Sequence, residues 1–162
     1  MWTFDATLQT EDDQRILTLV KNAQVFNAEE QTIAMELVQE TLANPNCGYQ
    51  FLFARDAAQQ IVAYTCFGVV PLTDNRYDLY WIVVDPSQQG TGLSQEILQR
   101  TEKQIRQSGG EIVYAETSGT ANYSPAHRFY LRQGFTLAAT LQDFYRQGDD
   151  KLIFQKGLSA VT

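Results

Sequence analysis

A glycine-rich turn between a strand-like run and an amphipathic segment constrains this chain most. Val84-Asp85-Pro86 ends a run of aromatic and branched residues, and Gly90-Thr91-Gly92-Leu93-Ser94 leads into apolar residues at helical spacing. Small residues let the backbone turn sharply and present several N–H groups at a helix N-terminus, where the helix dipole also favours an anion. The turn lacks Gly-Lys-Ser/Thr and the dinucleotide glycine spacing, so neither phosphate motif is present. A tight turn without a ligand is the alternative.

The order of predicted elements places this turn inside a mixed sheet. Alternating runs predict strands, and apolar residues at 3.6-residue spacing predict helices. The predicted strands are 1–8, 49–55, 61–70, 77–84, 112–117, 135–141 and 151–156. Three predicted helices follow the caps Thr10, Asn27 and Ser124, and another begins at Gln89. The strand–helix–strand unit in the middle implies a parallel pair joined by a crossover, while hairpins on either side imply antiparallel edges. The fold class is therefore α/β with one central sheet.

Local signals define the helices further. Thr10 and Asn27 each precede acidic residues and predict N-caps, the second as a capping box with Glu30. The second helix is expected to face inward with Ile33, Ala34, Leu37 and Val38. In the helix predicted over 89–107, i,i+4 ion pairs are expected on the solvent side, namely Glu96 with Arg100 and Glu102 with Arg106.

Length and charge narrow the function classes. The chain has 162 residues, so one domain over 1–162 is expected. A hydrophobic fraction of 44% with 19% charged residues excludes a disordered chain. The net charge of -7 argues against binding a phosphate backbone, so no nucleic-acid partner is expected. The charge serves solubility or an acidic mouth that attracts cationic amines.

Compartment and metal content also follow from the composition. No run approaches the ~18 apolar residues of a membrane span, so no membrane partner is expected. The first residues lack a basic region followed by an apolar run, which predicts a cytoplasmic protein. Two cysteines and one histidine make a poor metal set, so no metal is expected. Cys47 and Cys66 are predicted to be buried or half-buried thiols.

A second motif lies downstream of the turn. It reads Phe129-Tyr130-x-x-x-Gly134-Phe135, and the turn itself reads Gln89-x-x-Gly92-x-Ser94. With both motifs, the sequence resembles the GCN5-related N-acetyltransferase (GNAT) family. The resemblance covers nearly the whole chain, and the two motifs are more specific together than either is alone. It implies a mixed central sheet of about seven strands flanked by about four helices, with a strand–helix–strand crossover in the middle.

The resemblance implies where coenzyme A would bind. The backbone amides that would hold its pyrophosphate are those of Gln89, Gly90, Thr91, Gly92, Leu93 and Ser94. The strand backbone at Ile82, Val83 and Val84 would pair with the pantetheine arm, as an added strand does. Ser94 stands where the family has Gly or Ala. The family often has an asparagine seven residues before the helix tyrosine; here that position is Tyr123, and Asn122 precedes it as the candidate contact.

The resemblance also assigns catalytic candidates. Tyr130 would protonate the departing sulfur, with a packed helix tyrosine as the alternative. Asp78 and Glu116 are candidate bases for the amine, and deprotonation through water is the third option. His127 lies next to Arg128 on a helix and is expected to be exposed rather than catalytic.

The implied function is an acetyl-CoA-dependent N-acetyltransferase acting on a primary amine of a small molecule or peptide, by direct attack in a ternary complex. A non-catalytic acyl-CoA binding or sensing module with the same fold is the alternative. A third reading is an acyltransferase acting on protein N-termini or lysines. The resemblance is also compatible with a homodimer.

Overall fold

Seven strands hydrogen-bond in the order β1-β2-β3-β4-β5-β7-β6 in the computed structural model, which describes residues 1–159. β4 and β5 are parallel, whereas β1 with β2, β2 with β3, β5 with β7 and β6 with β7 are antiparallel. The strands are β1 (Thr3–Asp5), β2 (Gln50–Arg55), β3 (Ile61–Val69), β4 (Arg76–Val84), β5 (Ile112–Ser118), β6 (Thr136–Arg146) and β7 (Asp149–Gly157). The predicted mixed α/β class is confirmed.

Four α-helices connect these strands: α1 (Asp12–Asn22), α2 (Ala28–Ala43), α3 (Leu93–Gln107) and α4 (Ser124–Arg132). α3 joins the parallel strands β4 and β5, which is the crossover that the sequence predicts. Among residues 1–159, no helix has the length and apolar character needed to cross a membrane.

The chain divides into two compact units. The first contains Met1–Gly68 and Trp81–Thr101, and the second contains Val69–Tyr80 and the described residues from Glu102 onward. Both β4 and α3 contribute residues to each unit. The expectation of a single domain over 1–162 stays a prediction.

In the first unit, the N-terminus of α2 forms the predicted capping box. Asn27 Oδ1 accepts from the Glu30 N–H at 2.9 Å, and Glu30 Oε2 accepts from the Asn27 N–H at 2.8 Å. The helix buries Ala34 and Val38, whereas Ile33 is 49% exposed, so the inward position expected for Ile33 is wrong. Ile33 is turned about 100° from Ala34 around the helix axis, away from the buried stripe.

The start of α1 is organised by an ion pair rather than by a cap. Glu11 occupies the N-cap position without a side-chain hydrogen bond, so the cap predicted at Thr10 is wrong. Asp12 is buried, and its carboxylate accepts from Arg55 at 3.1 and 3.2 Å. Arg55 also donates to Asp5 at 2.7 Å. The acidic first turn therefore binds a strand side chain, a contact that local sequence does not encode.

The core of the first unit is rich in aromatic side chains. The rings of Phe51 and Phe53 stack at 5.7 Å, and each lies within 6.3 Å of Tyr64. The Tyr64 hydroxyl is sealed in this core without a hydrogen-bond partner among the described residues. Cys66 is buried and Cys47 half-buried, both as free thiols, which confirms the prediction for the two cysteines.

The second unit is built on β5 and β7. Their register runs from Ile112↔Gly157 to Ser118↔Lys151, so Ala115 lies opposite Phe154 and Glu116 opposite Ile153. β6 pairs with the other edge of β7 and continues to Arg146, beyond the end predicted at 141. Its register with β7 shifts twice, which bends the strand.

Glu102 is buried, although it is expected on the solvent side of α3. It is 4% exposed, and both of its carboxylate oxygens accept from Lys156 Nζ, at 2.9 and 3.0 Å. The pair predicted between Glu102 and Arg106 is therefore wrong, because a lysine of β7 lies above the helix at this position. The other predicted pair, Arg100 with Glu96, forms at 2.9 Å in the first unit.

Candidate functional site

The turn of the first unit begins at a firmly held carboxylate. Asp85 Oδ1 accepts from the Ser87 N–H at 2.9 Å, and Asp85 Oδ2 accepts from Arg15 at 2.9 Å. Burial acts to raise the pKa of Asp85, but the hydrogen bonds from Ser87 and Arg15 outweigh it and hold this pKa below its usual range. Asp85 therefore stays ionised and anchors the turn to α1.

Two glycines give the turn its shape. Gly90 has φ 77 and Gly92 has φ 87, a left-handed backbone that favours glycine. This conformation delays the helix, so α3 begins at Leu93 rather than at Gln89 as predicted. A Cβ built on either glycine would meet no atom within 4 Å, so the space beside both residues is open.

The backbone amides of the turn fall into two groups. The amides of Gln89 and Thr91 already donate to Pro86 O and Gln88 O, at 3.1 and 3.2 Å. Leu93 N–H makes a long contact of 3.4 Å with the Thr91 hydroxyl. Within residues 1–159, no acceptor pairs with the amides of Gly90, Gly92 and Ser94. Three of the six amides are therefore without an acceptor in this part of the chain, near the start of a 15-residue helix, and the binding of a pyrophosphate by all six stays a prediction.

Side chains outside the motif brace the turn. Trp2 Nε1 donates to Gln88 Oε1 at 3.1 Å, and Thr91 Oγ1 donates to Gln88 O. Arg15 Nε also donates to Ile61 O at 2.7 Å, which ties the turn to β3. Sequence reasoning missed Trp2 and Arg15, because no local pattern connects either residue with position 88 or 85.

The strand before the turn offers a backbone edge. Val83 is buried, while Ile82 and Val84 are half-buried. Asp85 N–H donates to Val62 O at 2.8 Å, which continues the pairing with β3. In the first unit β3 is the strand beside this segment, so one edge of Ile82–Val84 carries no strand of that unit.

In the second unit, three charged side chains share one face of the sheet. Asp78 lies opposite Tyr114 in the parallel register, and alternation along β5 puts Glu116 on the same face. Lys151 lies opposite Ser118 on this face, and its Nζ is 2.7 Å from Glu116 Oε2. The two candidate bases and a lysine that sequence reasoning missed therefore form one cluster, which we call the carboxylate face (Asp78, Glu116, Lys151).

Asp78 has the environment of a proton acceptor. Partial burial raises its pKa, the negative charge of Glu116 raises it further, and the Lys151 ammonium offsets part of this rise. Glu116 is more exposed and is paired with Lys151, whose side chain is 16% exposed. A carboxylate whose pKa is raised towards neutrality is a better general base than an ordinary aspartate.

Tyr130 is packed among aromatic rings at the end of α4. It is 6% exposed, and its ring lies 5.2 Å from Phe135 and 5.6 Å from Phe154. Burial raises the pKa of the Tyr130 hydroxyl above its ordinary value, so the phenol keeps its proton at neutral pH. Tyr130 is therefore protonated at neutral pH, and its packing is also that of the helix tyrosine in the alternative interpretation.

Tyr130 and the carboxylates lie on opposite faces of the second unit's strands. Phe154, against which Tyr130 packs, lies opposite Ala115, and Ala115 alternates with Glu116 along β5. Parallel pairing of β4 with β5 is present from Arg76↔Ile112 to Leu79↔Ala115. Within this unit Glu116–Ser118 pair with β7 alone, so the edge of β5 beyond Ala115 carries no strand of the unit.

The remaining sequence candidates have structural contacts or lie on the surface. His127 is half-buried, its Nε2 is 2.8 Å from Ser118 O, and its ring stacks on Phe154 at 5.8 Å. The histidine expected to be exposed thus holds α4 against β5. Asn122 is exposed in a short 3₁₀ helix, Ala121–Tyr123.

Comparisons with known proteins agree on one family. The model of the acetyltransferase (GNAT) family matches residues 14–135. A solved structure of a GNAT-family protein from Desulfovibrio desulfuricans is similar at 38% sequence identity, with a TM-score of 0.93. The similarity covers 98% of this chain and 100% of that chain.

More distant solved structures share the fold. The ribosomal-protein-S18-alanine N-acetyltransferase of Escherichia coli has a TM-score of 0.76 at 19% identity, covering 100% of this chain and 97% of that chain. An aminoglycoside 6'-N-acetyltransferase in complex with coenzyme A has a TM-score of 0.75 at 14% identity, covering 100% and 99%. No curated protein matches the sequence.

Proposed function

Because this chain belongs to the GNAT acetyltransferase family, we propose that it transfers an acetyl group from acetyl-CoA to a primary amine of a small molecule or peptide. The transfer takes place by direct attack in a ternary complex. The observation that carries the proposal is the set of open amides at Gly90, Gly92 and Ser94, which lie in the turn after β4 and in the first turn of α3.

The turn fits the pyrophosphate of coenzyme A by its chemistry. Amides without acceptors at a helix N-terminus bind phosphate oxygens, and the helix dipole adds to this attraction. The open space beside Gly90 and Gly92 admits a ligand close to the backbone. The edge of Ile82–Val84 that carries no strand of the first unit would pair with the amides of the pantetheine arm. Asn122 stays a proposed contact of the cofactor. Acetyl-CoA, when bound, supplies the activated thioester.

The protein's own residues then manage protons. Asp78 takes the proton from the ammonium of the acceptor, because only a neutral amine attacks. Glu116, or a water chain, is the alternative acceptor of this proton. Tyr130 keeps its proton at neutral pH and gives it to the leaving sulfur.

The acceptor is a primary amine of either a small molecule or a peptide, and the amine panel described below distinguishes the two. The fold relatives include an enzyme named for the alanine of a ribosomal protein and one named for an aminoglycoside. The net charge of -7 favours a cationic acceptor of either kind. We also propose a cytoplasmic location.

The proposal is tested by titration calorimetry followed by an amine panel. Coenzyme A is expected to bind, whereas ATP and NAD at the same concentrations are expected to give no comparable heat. Thiol release from acetyl-CoA with small amines, lysine and an alanine-starting peptide then measures transfer. If coenzyme A binds but no amine of the panel raises thiol release above the rate without amine, the protein would be the sensing module instead. Absence of coenzyme A binding would overturn both readings.

A further inference from the structure

A bulge in β6 holds two adjacent aromatic side chains at the surface of the second unit. Its pairing with β7 shifts between Leu141 and Arg146, and Asp143 within this segment has φ 51. Asp150 Oδ1 accepts from the Asp143 N–H at 2.9 Å, and Asp143 Oδ1 accepts from the Gly148 N–H at 2.7 Å. These contacts fix the bulge, and bulges commonly re-aim side chains at binding sites.

The side chains that the bulge presents are Phe144 and Tyr145. They are 51% and 43% exposed, although both are large and apolar. Their rings meet edge to face, with centroids 5.0 Å apart at 88°. Such a pair loses little rotational freedom when a ligand covers it, because both rings are already held.

Contacts continue from this aromatic pair to the carboxylate face. Lys151 Nζ lies 4.4 Å from the centre of the Phe144 ring, an attractive cation–π arrangement. The same ammonium is 2.7 Å from Glu116, and the charges of both residues act on Asp78. An exposed aromatic wall and a proton-accepting carboxylate are thus joined through one lysine.

The charge balance of this face also limits the ligand. Lys151 neutralises Glu116, which leaves Asp78 as the one uncompensated carboxylate of the three residues. The nearby Asp143, Asp149 and Asp150 accept hydrogen bonds from Gly148, Ser118 and the Asp143 amide, so they support the turn. The face therefore suits one ammonium group attached to an apolar body.

Building on the proposed N-acetyltransferase activity, we propose that Phe144 and Tyr145 are specificity-determining residues that bind the aromatic or apolar body of a monoamine acceptor. Its amino group would then lie by Asp78, with Lys151 positioning the Phe144 ring. An acceptor of this class has one amine and a ring or alkyl chain, in contrast to a polyhydroxylated or multiply charged amine.

The test compares two amines, 2-phenylethylamine and 2-aminoethanol, in wild-type protein and in Phe144→Ala. Binding in the presence of saturating coenzyme A is measured by calorimetry, and kcat/KM by thiol release from acetyl-CoA. Leu137→Ala is the matched control, because Leu137 is 50% exposed on the same strand but lies opposite Phe154, on the other face. Thermal unfolding checks that both variants fold.

We expect wild-type protein to bind 2-phenylethylamine at least tenfold more tightly than 2-aminoethanol. Phe144→Ala should lose most of this preference through its effect on 2-phenylethylamine, while Leu137→Ala keeps it. Lys151→Met should reduce the preference for 2-phenylethylamine less than Phe144→Ala does. No wild-type preference, or an unchanged ratio in Phe144→Ala, would overturn the proposal.

Two further outcomes separate this proposal from its alternatives. Selective binding of 2-phenylethylamine without turnover would support the aromatic site and contradict the proposed enzyme activity. Turnover with the same ratio of the two amines in Phe144→Ala as in wild-type protein would support the enzyme activity and contradict the aromatic site. If the face instead docks a second copy of the chain, sedimentation would show a dimer that Phe144→Ala dissociates, with the amine ratio unchanged. That result would also overturn the proposal.

Discussion

The Lys151 ammonium lies 2.7 Å from the Glu116 carboxylate, on the sheet face that also carries Asp78. The pairing separates the roles of two acids that are otherwise alike in the sequence. Glu116 is held as a paired anion, while Asp78 is half-buried beside it and has the raised pKa. This asymmetry makes Asp78 a better proton acceptor than Glu116. It also predicts that removing either charged neighbour shifts the pH profile, in opposite directions for the two variants.

Changing either member of the pair should move the pH profile in opposite directions. Loss of the ammonium in Lys151→Met raises the pKa of Asp78, so the acidic limb of kcat/KM should shift to higher pH. Loss of the negative charge in Glu116→Gln lowers the pKa of Asp78, so the limb should shift to lower pH. Initial rates of thiol release across pH measure both.

Lys103→Met is the control for this comparison, because Lys103 is an exposed lysine on α3 and its loss changes the net charge by the same amount. It should leave the limb in place. Shifts of the same sign in Lys151→Met and Glu116→Gln would assign the limb to another group.

Tyr130→Phe should lower kcat roughly a hundredfold, within the usual range for loss of a general acid. The ring contacts with Phe135 and Phe154 remain, so coenzyme A affinity and the midpoint of thermal unfolding should stay unchanged. Tyr64→Phe is the matched control, since it also removes a buried tyrosine hydroxyl. It should leave kcat unchanged and stabilise the protein by about 1 kcal/mol, because that hydroxyl has no partner. Full turnover by Tyr130→Phe would remove its proposed role.

Lys156→Met should destabilise the protein by about 3 kcal/mol, since it leaves the buried Glu102 carboxylate unpaired. Glu96→Gln breaks the exposed pair with Arg100 and should cost no more than about 0.5 kcal/mol. Urea unfolding measures both values. Combining Lys156→Met with Glu102→Gln should recover part of the stability lost in Lys156→Met. If Lys156→Met alone costs no more than Glu96→Gln, the result would contradict the burial of the Glu102–Lys156 pair.

Local signals predicted the features that depend on neighbouring residues. The Asn27–Glu30 capping box and the Glu96–Arg100 pair form as predicted, because each needs only residues three or four positions apart. The small residues locate the turn, but the helical spacing predicts a start of α3 that is four residues too early. The left-handed backbone at Gly90 and Gly92 keeps those residues out of the helix.

Features that depend on distant strands were missed. Glu102 pairs with Lys156, 54 positions away in sequence, rather than with Arg106. The link from Phe144 through Lys151 to Glu116 requires the register of three strands, and no spacing in the sequence encodes that register. The brace from Trp2 to Gln88 spans 86 positions. These contacts arise from tertiary packing, which overrides local preference.

The most direct test of the central claim is coenzyme A binding to Gly92→Ala and Gly109→Ala, measured by calorimetry. Both glycines have φ 87 and no atom within 4 Å of an added Cβ, so both variants carry similar strain of about 1–3 kcal/mol. The account predicts that Gly92→Ala weakens coenzyme A binding at least tenfold while Gly109→Ala binds like wild-type protein. Equal affinity in the two variants would contradict a pyrophosphate site at the turn before α3.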